Sequence, residues 1–297
     1  MKELIDNFLL YLSSQKRFSE CTVISYKNDL SSAAKYVFET YEIKDIRKVS
    51  FFHIRSYIVD LMKNGMSAKS VNRKISSLRS FFKYLIKKSI VDKNPMLKVI
   101  SPKIPKRLPD YVSKTDIAIL FDSISFGNTY CEARIYIVML LLYNTGMRKS
   151  ELIGLTDENV DFAQKRIAVV GKGNKQRIIP VSNDLLTKIR KYIQIRNQSF
   201  ECRESFLLLT DKGKPMYPKL VYNIVNRVLV SMATNTKKSP HILRHTFATH
   251  MANNGAELNT IKELLGHASL AATQVYTHNS IEKLKDVYSR SHPKAQF

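Results

Sequence analysis

The chain has 297 residues, 44% of them hydrophobic, which is enough for two domains that each have a core. Its 48 Lys and Arg residues against 25 Asp and Glu residues give a net charge of +23, which indicates a polyanionic partner such as nucleic acid. Both halves carry the excess, so one long anion is expected to contact both, although a lysine-rich proteome explains part of the charge.

The first hundred residues are predicted to be helical. Leu4, Phe8 and Leu12 recur at helical spacing, and so do the apolar residues of a longer stretch that begins at Ser67. The polar face of that stretch is basic, with no acidic residue one turn away, which favours a surface that faces DNA phosphates over a merely solvated one. The candidates for DNA contact are Lys69, Arg73, Lys74, Arg79 and Lys83.

A proline-rich stretch, residues 101–112, separates the two predicted domains. Proline removes an amide donor and restricts the residue before it, so a continuous helix cannot form there. We expect an extended linker between a DNA-binding domain over residues 1–100 and a catalytic domain over residues 113–297.

The second domain is predicted to contain helices and a small antiparallel sheet. An apolar helix ends at Gly146, a short helix follows, and two β-rich runs flank a glycine-bearing loop, which is typical of a hairpin. Gly255 and Gly266 are expected to end later helices, and Ser269 to begin the last one before Tyr276. The predicted elements are helices over 132–144 and 149–155 and strands over 166–170 and 176–181.

Four short stretches of the second half carry reactive side chains: TGMRKSEL, GKGNK, PHILRH and LGH, the last followed nine residues later by a tyrosine. In chain order they contribute Arg148, Lys172, His241, Arg244, His267 and Tyr276. This set resembles the tyrosine recombinase family, and its close spacing and the SHPKA ending are most similar to the Xer branch, which resolves chromosome dimers in bacteria. The resemblance covers nearly the whole chain.

The resemblance implies a mainly α, two-domain fold: an N-terminal SAM-like helical bundle of four or five helices and an α+β catalytic domain. It implies double-stranded DNA as the substrate, with assembly to a tetramer on two sites or pairing with a related recombinase. A DNA translocase is a further expected partner, as activator. One alternative remains open, an integrase of a phage or mobile element. A DNA-binding protein that keeps the fold without catalysis is a further hypothesis, and the intact set of reactive residues argues strongly against it.

The chemistry of these residue types suits strand transfer at a phosphodiester. Arg148 and Arg244 are planar, permanently charged donors for the non-bridging oxygens. In the roles that the resemblance implies, Tyr276 is the nucleophile, Lys172 protonates the leaving 5′ oxygen, and His241 accepts the tyrosine proton while His267 binds the phosphate. Lys175 is the rival of Lys172 at the same loop, and Glu151 is expected to pair with a nearby base or to steady a histidine. Lys149 stands where the family usually has a small aliphatic residue, and we expect it to point away from Arg148.

No cofactor or metal is expected. The isolated cysteines, Cys21, Cys131 and Cys202, form neither a disulfide framework nor a thiolate site. The second half has no cluster of carboxylates that could hold the two metal ions of a metal-dependent nuclease. Cationic side chains are expected to do the work of such ions. With no signal segment and no apolar run of membrane-spanning length, the expected location is the cytoplasm.

The end of the chain is predicted to form a short amphipathic helix over residues 279–288. Its apolar side carries Ile281, Leu284, Val287 and Tyr288. Such a side needs a surface to cover it, either on the same domain or, as the resemblance implies, on a neighbouring protomer. We expect the second arrangement, in which docking sets the position of Tyr276.

Overall fold

The computed structural model describes residues 1–104, 111–171, 176–200, 205–231, 238–266 and 286–294. They divide into two compact units, Met1–Arg107 and Leu108–Phe297. Each unit has its own hydrophobic core. Residues 105–110 of the predicted linker lie outside the described residues.

The first unit is helical, as its apolar periodicity predicts. Ser67 begins the longest of the predicted helices by accepting a hydrogen bond from the Ser70 amide at 3.3 Å. Val71, Ile75 and the other predicted apolar residues of that helix are buried in the core. The helices are Lys2–Ser14 (α1), Glu20–Tyr41 (α2), Phe51–Lys63 (α3) and Ala68–Lys87 (α4), with a 3-10 turn at Ile46–Lys48.

The second unit surrounds one helix that is buried on nearly all sides. That helix, α6, has apolar residues around its whole circumference, which fits a position in the centre of a domain. The other helices cover it and leave their polar faces outside. The helices are Lys114–Ser123 (α5), Tyr130–Thr145 (α6), Lys149–Ile153 (α7), Asn183–Ser199 (α8), Pro218–Ser231 (α9), Pro240–Asn253 (α10) and Leu258–Leu265 (α11).

A three-stranded antiparallel sheet follows α7 and a 3-10 turn at Asp157–Asn159. Its strands are Val160–Asp161 (β1), Arg166–Val170 (β2) and Gln176–Pro180 (β3), in that order. The hairpin formed by β2 and β3 confirms the prediction, and Val169 lies opposite Arg177 in its register. The two-residue strand β1 was not predicted because so short a segment has no measurable periodicity. The mainly α fold with a small antiparallel sheet is confirmed.

The described part of the C-terminal segment (residues 286–294) packs on its own domain. Tyr288 is fully buried beside Phe247, and its hydroxyl donates to the carbonyl oxygen of Asn144 at 3.0 Å. His292 stacks on Tyr288, with ring centroids 5.0 Å apart. The expectation of docking on a neighbouring protomer is therefore wrong for Tyr288, because the end of α6 offers a carbonyl that a tyrosine can satisfy. Residues 279–285 lie outside the described residues.

Candidate active site

Arg148 lies at the junction between α6 and α7. Helix α6 ends because Gly146 takes the left-handed conformation, with φ 58°. A Cβ added at Gly146 would lie 2.6 Å from the ring of Phe247, so the close packing also requires glycine. Arg148 follows as the N-cap of α7, and its side chain is 33% exposed. Part of the guanidinium therefore faces solvent, where a phosphate can bind.

The carboxylate of Glu151 holds this junction together. It accepts from the Arg148 backbone amide and from Arg148 Nη1, both at 2.7 Å. It also accepts from Nη1 and Nη2 of Arg177, at 2.8 and 2.9 Å. Burial alone would raise the pKa of Glu151, but the bonds from Arg177 and Arg148 outweigh it and lower the pKa to about 2. Glu151 thus stays ionised and pairs with two basic side chains, which is the first of its two expected roles.

Arg177 is a member of the site that sequence reasoning missed. It is the second residue of β3, and its side chain is only 5% exposed. Besides the two bonds to Glu151, its Nε donates to the carbonyl oxygen of Leu264 at 2.8 Å. A buried arginine inside a β-rich run gives no periodic signal of its own. Its position five residues after Lys172 was the available hint.

Arg244 lies on α10, one turn after His241, and its side chain is buried. It donates from Nη1 to the carbonyl oxygen of Gly146 and from Nη2 to that of Leu265, both at 2.7 Å. Burial, and then the charges of Arg148 and Arg177, lower its pKa to about 10. The guanidinium therefore remains protonated near neutral pH.

The end of α11 is the point at which the three arginines meet. The last carbonyls of a helix have no partner within it and carry the negative end of the helix dipole. Here Arg177 binds the carbonyl of Leu264, Arg244 that of Leu265, and Arg148 Nη2 that of Gly266 at 3.0 Å.

His241 occupies an exposed position on α10, one turn before Arg244. Its pKa is lowered, first by partial burial and then by the positive charges of Lys149, His245, Arg244 and Arg148. The imidazole is therefore mostly neutral near pH 7 and can accept a proton. Lys149 contributes the largest of these charge effects on the pKa of His241.

The remaining predicted site residues lie outside the described residues. They are Lys172 and its rival Lys175, His267 and Tyr276, together with Ser269. The structure therefore brings Arg148 and Arg244 together at the end of α11. His241 lies on α10, one turn before Arg244. The placement of the other three candidates stays a prediction.

The basic residues of α4 do not all face solvent. Lys69, Arg73, Arg79 and Lys83 are exposed, whereas Lys74 is buried. Asp29, a buried residue of α2, lies 2.5 Å from Arg73 Nη1 and 3.2 Å from Lys74 Nζ. The prediction that Lys74 faces DNA phosphates is therefore wrong, because its ammonium is buried beside Asp29. An acidic partner on another helix cannot be found from spacing along α4.

Two features are not found in the part of the chain that the structure describes. None of its helices is long and apolar enough to cross a membrane. It also contains no group of three or more His, Cys, Asp or Glu residues that could hold a metal ion.

Comparison with known families accounts for both units. Residues 119–283 match the phage integrase family, and residues 5–89 match the phage integrase N-terminal SAM-like domain. The chain belongs to the phage integrase family, whose members are tyrosine recombinases. It acts as an enzyme that cuts and rejoins DNA at specific sites through a catalytic tyrosine, in recombination of the Xer type.

Individual relatives agree with this assignment over almost the full length. The chain is 37% identical to the tyrosine recombinase XerC of Anoxybacillus flavithermus, with 97% of each protein aligned. It is 35% identical to XerC of Listeria innocua, over 99% of this chain and 98% of the relative. A solved structure of the XerH site-specific recombinase bound to a palindromic difH substrate is similar in fold, with a TM-score of 0.71 at 20% identity. That alignment covers 90% of this chain and 79% of XerH.

Proposed function

We propose that the chain cleaves one DNA strand through a covalent 3′-phosphotyrosine in which Tyr276 is the nucleophile. The observation that carries the proposal is the pairing of Arg148 and Arg244 at the end of α11. Their guanidiniums bind the adjacent carbonyls of Gly266 and Leu265, immediately before His267 in the chain. Two fixed positive charges at one place suit the two non-bridging oxygens of a single phosphate.

The proposed reaction is a transesterification. The hydroxyl oxygen of Tyr276 attacks the phosphorus, a new P–O bond forms, and the bond to the 5′ oxygen breaks. His241 takes the proton of the tyrosine, because its lowered pKa keeps the imidazole in the neutral form that can accept one. Lys172 gives a proton to the leaving 5′ oxygen, and neighbouring arginines lower the pKa of such a lysine. Reversal of the same steps by a new 5′ hydroxyl joins the strands.

The positive charges of the site take the part that a divalent ion plays in many nucleases. Arg148 and Arg244 stabilise the charge that develops on the phosphate, and His267 adds a hydrogen bond to it. We therefore infer that cleavage needs no metal ion and no organic cofactor.

The N-terminal domain, residues 1–100, is proposed to bind the DNA duplex, and residues 113–297 to perform catalysis, with 101–112 as the linker. The exposed cations of α4 support the first assignment, since they carry positive charge at the surface, where it can neutralise phosphates. The Arg79 guanidinium also donates to the Val99 carbonyl oxygen at 2.6 Å. Arg73 keeps one contact to Asp29 and is half exposed, so it can contact DNA while held in place. The proposed DNA contacts are Lys69, Arg73, Arg79 and Lys83.

The cellular role that we propose is the resolution of chromosome or plasmid dimers before cell division, in the cytoplasm. The XerC names of full-length relatives support this role. Such a reaction needs two recombination sites and four protomers, supplied by this chain alone or with a related recombinase. We further propose that a DNA translocase activates the complex.

The test is covalent trapping on a candidate chromosomal recombination site. The duplex carries a nick just 3′ of the cleavage point, so that the short fragment with the released 5′ hydroxyl diffuses away and the protein stays attached through the 3′ phosphate. We expect an SDS-resistant protein–DNA adduct from the wild-type chain in EDTA. Tyr276→Phe should bind the same DNA and form none, because only the nucleophilic oxygen is lost. Tyr222→Phe, a partly exposed tyrosine of α9, is the matched control and should react normally. An adduct from Tyr276→Phe, or one that requires a divalent ion, would contradict the proposal.

A further inference from the structure

Arg177 is buried beside the candidate active site, and the proposed reaction assigns it no role. It is the second residue of β3, five residues after Lys172 in the chain, and it lies opposite Val169 in the hairpin. With a side chain 5% exposed, it does not present its charge to solvent as Arg148 does. A buried guanidinium is costly unless its donors are used and its charge is paired. The role of Arg177 can therefore be inferred from the groups to which it donates hydrogen bonds.

The partners of Arg177 belong to two different elements. Two parallel bonds join it to the Glu151 carboxylate of α7, and the third, from Nε, reaches the Leu264 carbonyl of α11. Only a planar guanidinium can make these three bonds at once, since an ammonium is a single point of charge. Arg177 thus fixes the distance between the element that bears Arg148 and the helix end that precedes His267.

Glu151 also connects Arg177 to the charge of Arg148. One carboxylate accepts from both guanidiniums, so its negative charge is divided between them. Without Arg177, Glu151 would pair with Arg148 alone and would neutralise the charge that the phosphate needs. The Glu151 oxygens would then also draw Arg148 towards the interior, away from its exposed side.

The packing around Gly266 points to the same arrangement. Gly266 has φ 64°, and a Cβ there would lie 3.0 Å from Cδ of Arg177. The aliphatic part of Arg177 therefore lies directly against the residue whose carbonyl binds Arg148. A shift of Arg177 would move that carbonyl and the arginine bound to it.

We propose that Arg177 is a positioning residue of the active site, which holds Glu151 and the end of α11 so that Arg148 and Arg244 meet the scissile phosphate with their charges available. The inference rests on the proposed roles of those two arginines. It assigns Arg177 no contact with DNA.

The test compares Arg177→Lys and Arg177→Met with the wild-type chain on two trapping substrates. One has the natural scissile phosphate, and in the other a methyl group replaces one non-bridging oxygen, so that the reacting centre is neutral. We expect DNA affinity within about twofold of wild type and adduct formation on the natural substrate lowered about tenfold to a hundredfold, as for a small displacement of a reacting group. On the neutral substrate the loss should nearly vanish, because the misplaced charge is no longer needed.

Arg196→Lys provides the matched control. Arg196 is equally buried, on α8, and forms two bonds to the carboxylate of Asp157, at 2.7 and 2.6 Å. It should lose a similar amount of thermal stability and keep its rate of adduct formation on both substrates. Equal losses on the two substrates for the Arg177 variants, or a loss explained by unfolding, would make Arg177 a stability residue and overturn the proposal. Adduct formation by Arg177→Lys at the wild-type rate would also overturn the proposal. Failure of the proposed function looks different, since the wild-type chain itself would then form no adduct.

Discussion

Arg244 donates a hydrogen bond from Nη1 to the carbonyl oxygen of Gly146, two residues before Arg148, at a distance of 2.7 Å. The two arginines of the site are therefore connected through the backbone at the end of α6 as well as through α11. Because Gly146 combines a left-handed backbone with contact to Phe247, the placement of both arginines depends on the absence of a side chain at this one position.

Gly146→Ala should therefore damage both stability and cleavage. The alanine would have to adopt φ 58°, which is unfavourable for a residue with a side chain. Its Cβ would lie 2.6 Å from Phe247 Cδ1 and 2.8 Å from Leu265 Cδ2. We expect a loss of about 1–3 kcal/mol in the free energy of unfolding, from strain and overpacking together. Urea denaturation measures it, and Gly65→Ala, at another left-handed glycine with no heavy atom within 4 Å, separates strain from contact. Equal losses in the two variants would show that contact with Phe247 contributes nothing.

Arg148→Lys should not behave as a conservative change. The guanidinium binds Glu151 through Nη1 and the Gly266 carbonyl through Nη2, and a lysine cannot make both bonds while facing a phosphate. We expect DNA binding to persist and adduct formation to fall by about 10²–10³, the usual loss for one donor to a developing charge. Single-turnover trapping measures the rate. A rate within a few-fold of wild type would remove Arg148 from the catalytic set.

The secondary structure near the site was predictable because local signals and packing agree there. Gly146 ends α6, and the β2–β3 hairpin flanks its glycine-bearing loop as the sequence indicates. These features depend on one or two residues each. The boundary of α7, predicted at residue 155, lies at Ile153 because Gly154 follows.

The contacts between distant residues were not predictable in the same way. The Arg177–Glu151 pair joins residues 26 positions apart, and the Arg148–Gly266 bond joins residues 118 apart. No periodicity along one element reports such a pair. For the same reason Lys74 was expected at the surface, although Asp29 holds it inside.

DNA affinity should depend on salt through the exposed cations of α4. Each phosphate neutralised contributes a slope of about −0.9 in the logarithm of affinity against the logarithm of salt. Lys69→Gln and Lys83→Gln should each flatten the slope by about one. Lys74→Gln should instead lower thermal stability, because it leaves Asp29 with one cation fewer in a buried setting. Filter binding over a salt series measures the slopes. An unchanged slope in the first two variants would show that the net charge is compositional.

Docking of the C-terminal segment should weaken as the pH falls. Burial, and then the charges of His250 and Lys294, lower the pKa of His292 to about 3, against the bond to the Tyr143 carbonyl, which raises it. A histidine whose folded pKa is depressed contributes its full share of stability above its unfolded pKa of about 6.5. Below that pH the contribution falls by about 1.4 kcal/mol for each pH unit, down to the folded value. Neutral His292 is therefore required for the packing on Tyr288.

Hydrogen exchange of residues 286–294 at pH 7.5 and pH 5.5 tests this dependence. The wild-type segment should exchange faster at the lower pH, after correction for the intrinsic chemical rate. His292→Phe keeps a ring that stacks on Tyr288 and removes the titrating group, so its protection should change less between the two pH values. His250, which is also buried with a lowered pKa, remains in both proteins and supplies the same background slope. Identical pH dependence in the wild type and in His292→Phe would show that His292 does not control the docking. In that case His250 would be the next residue to replace.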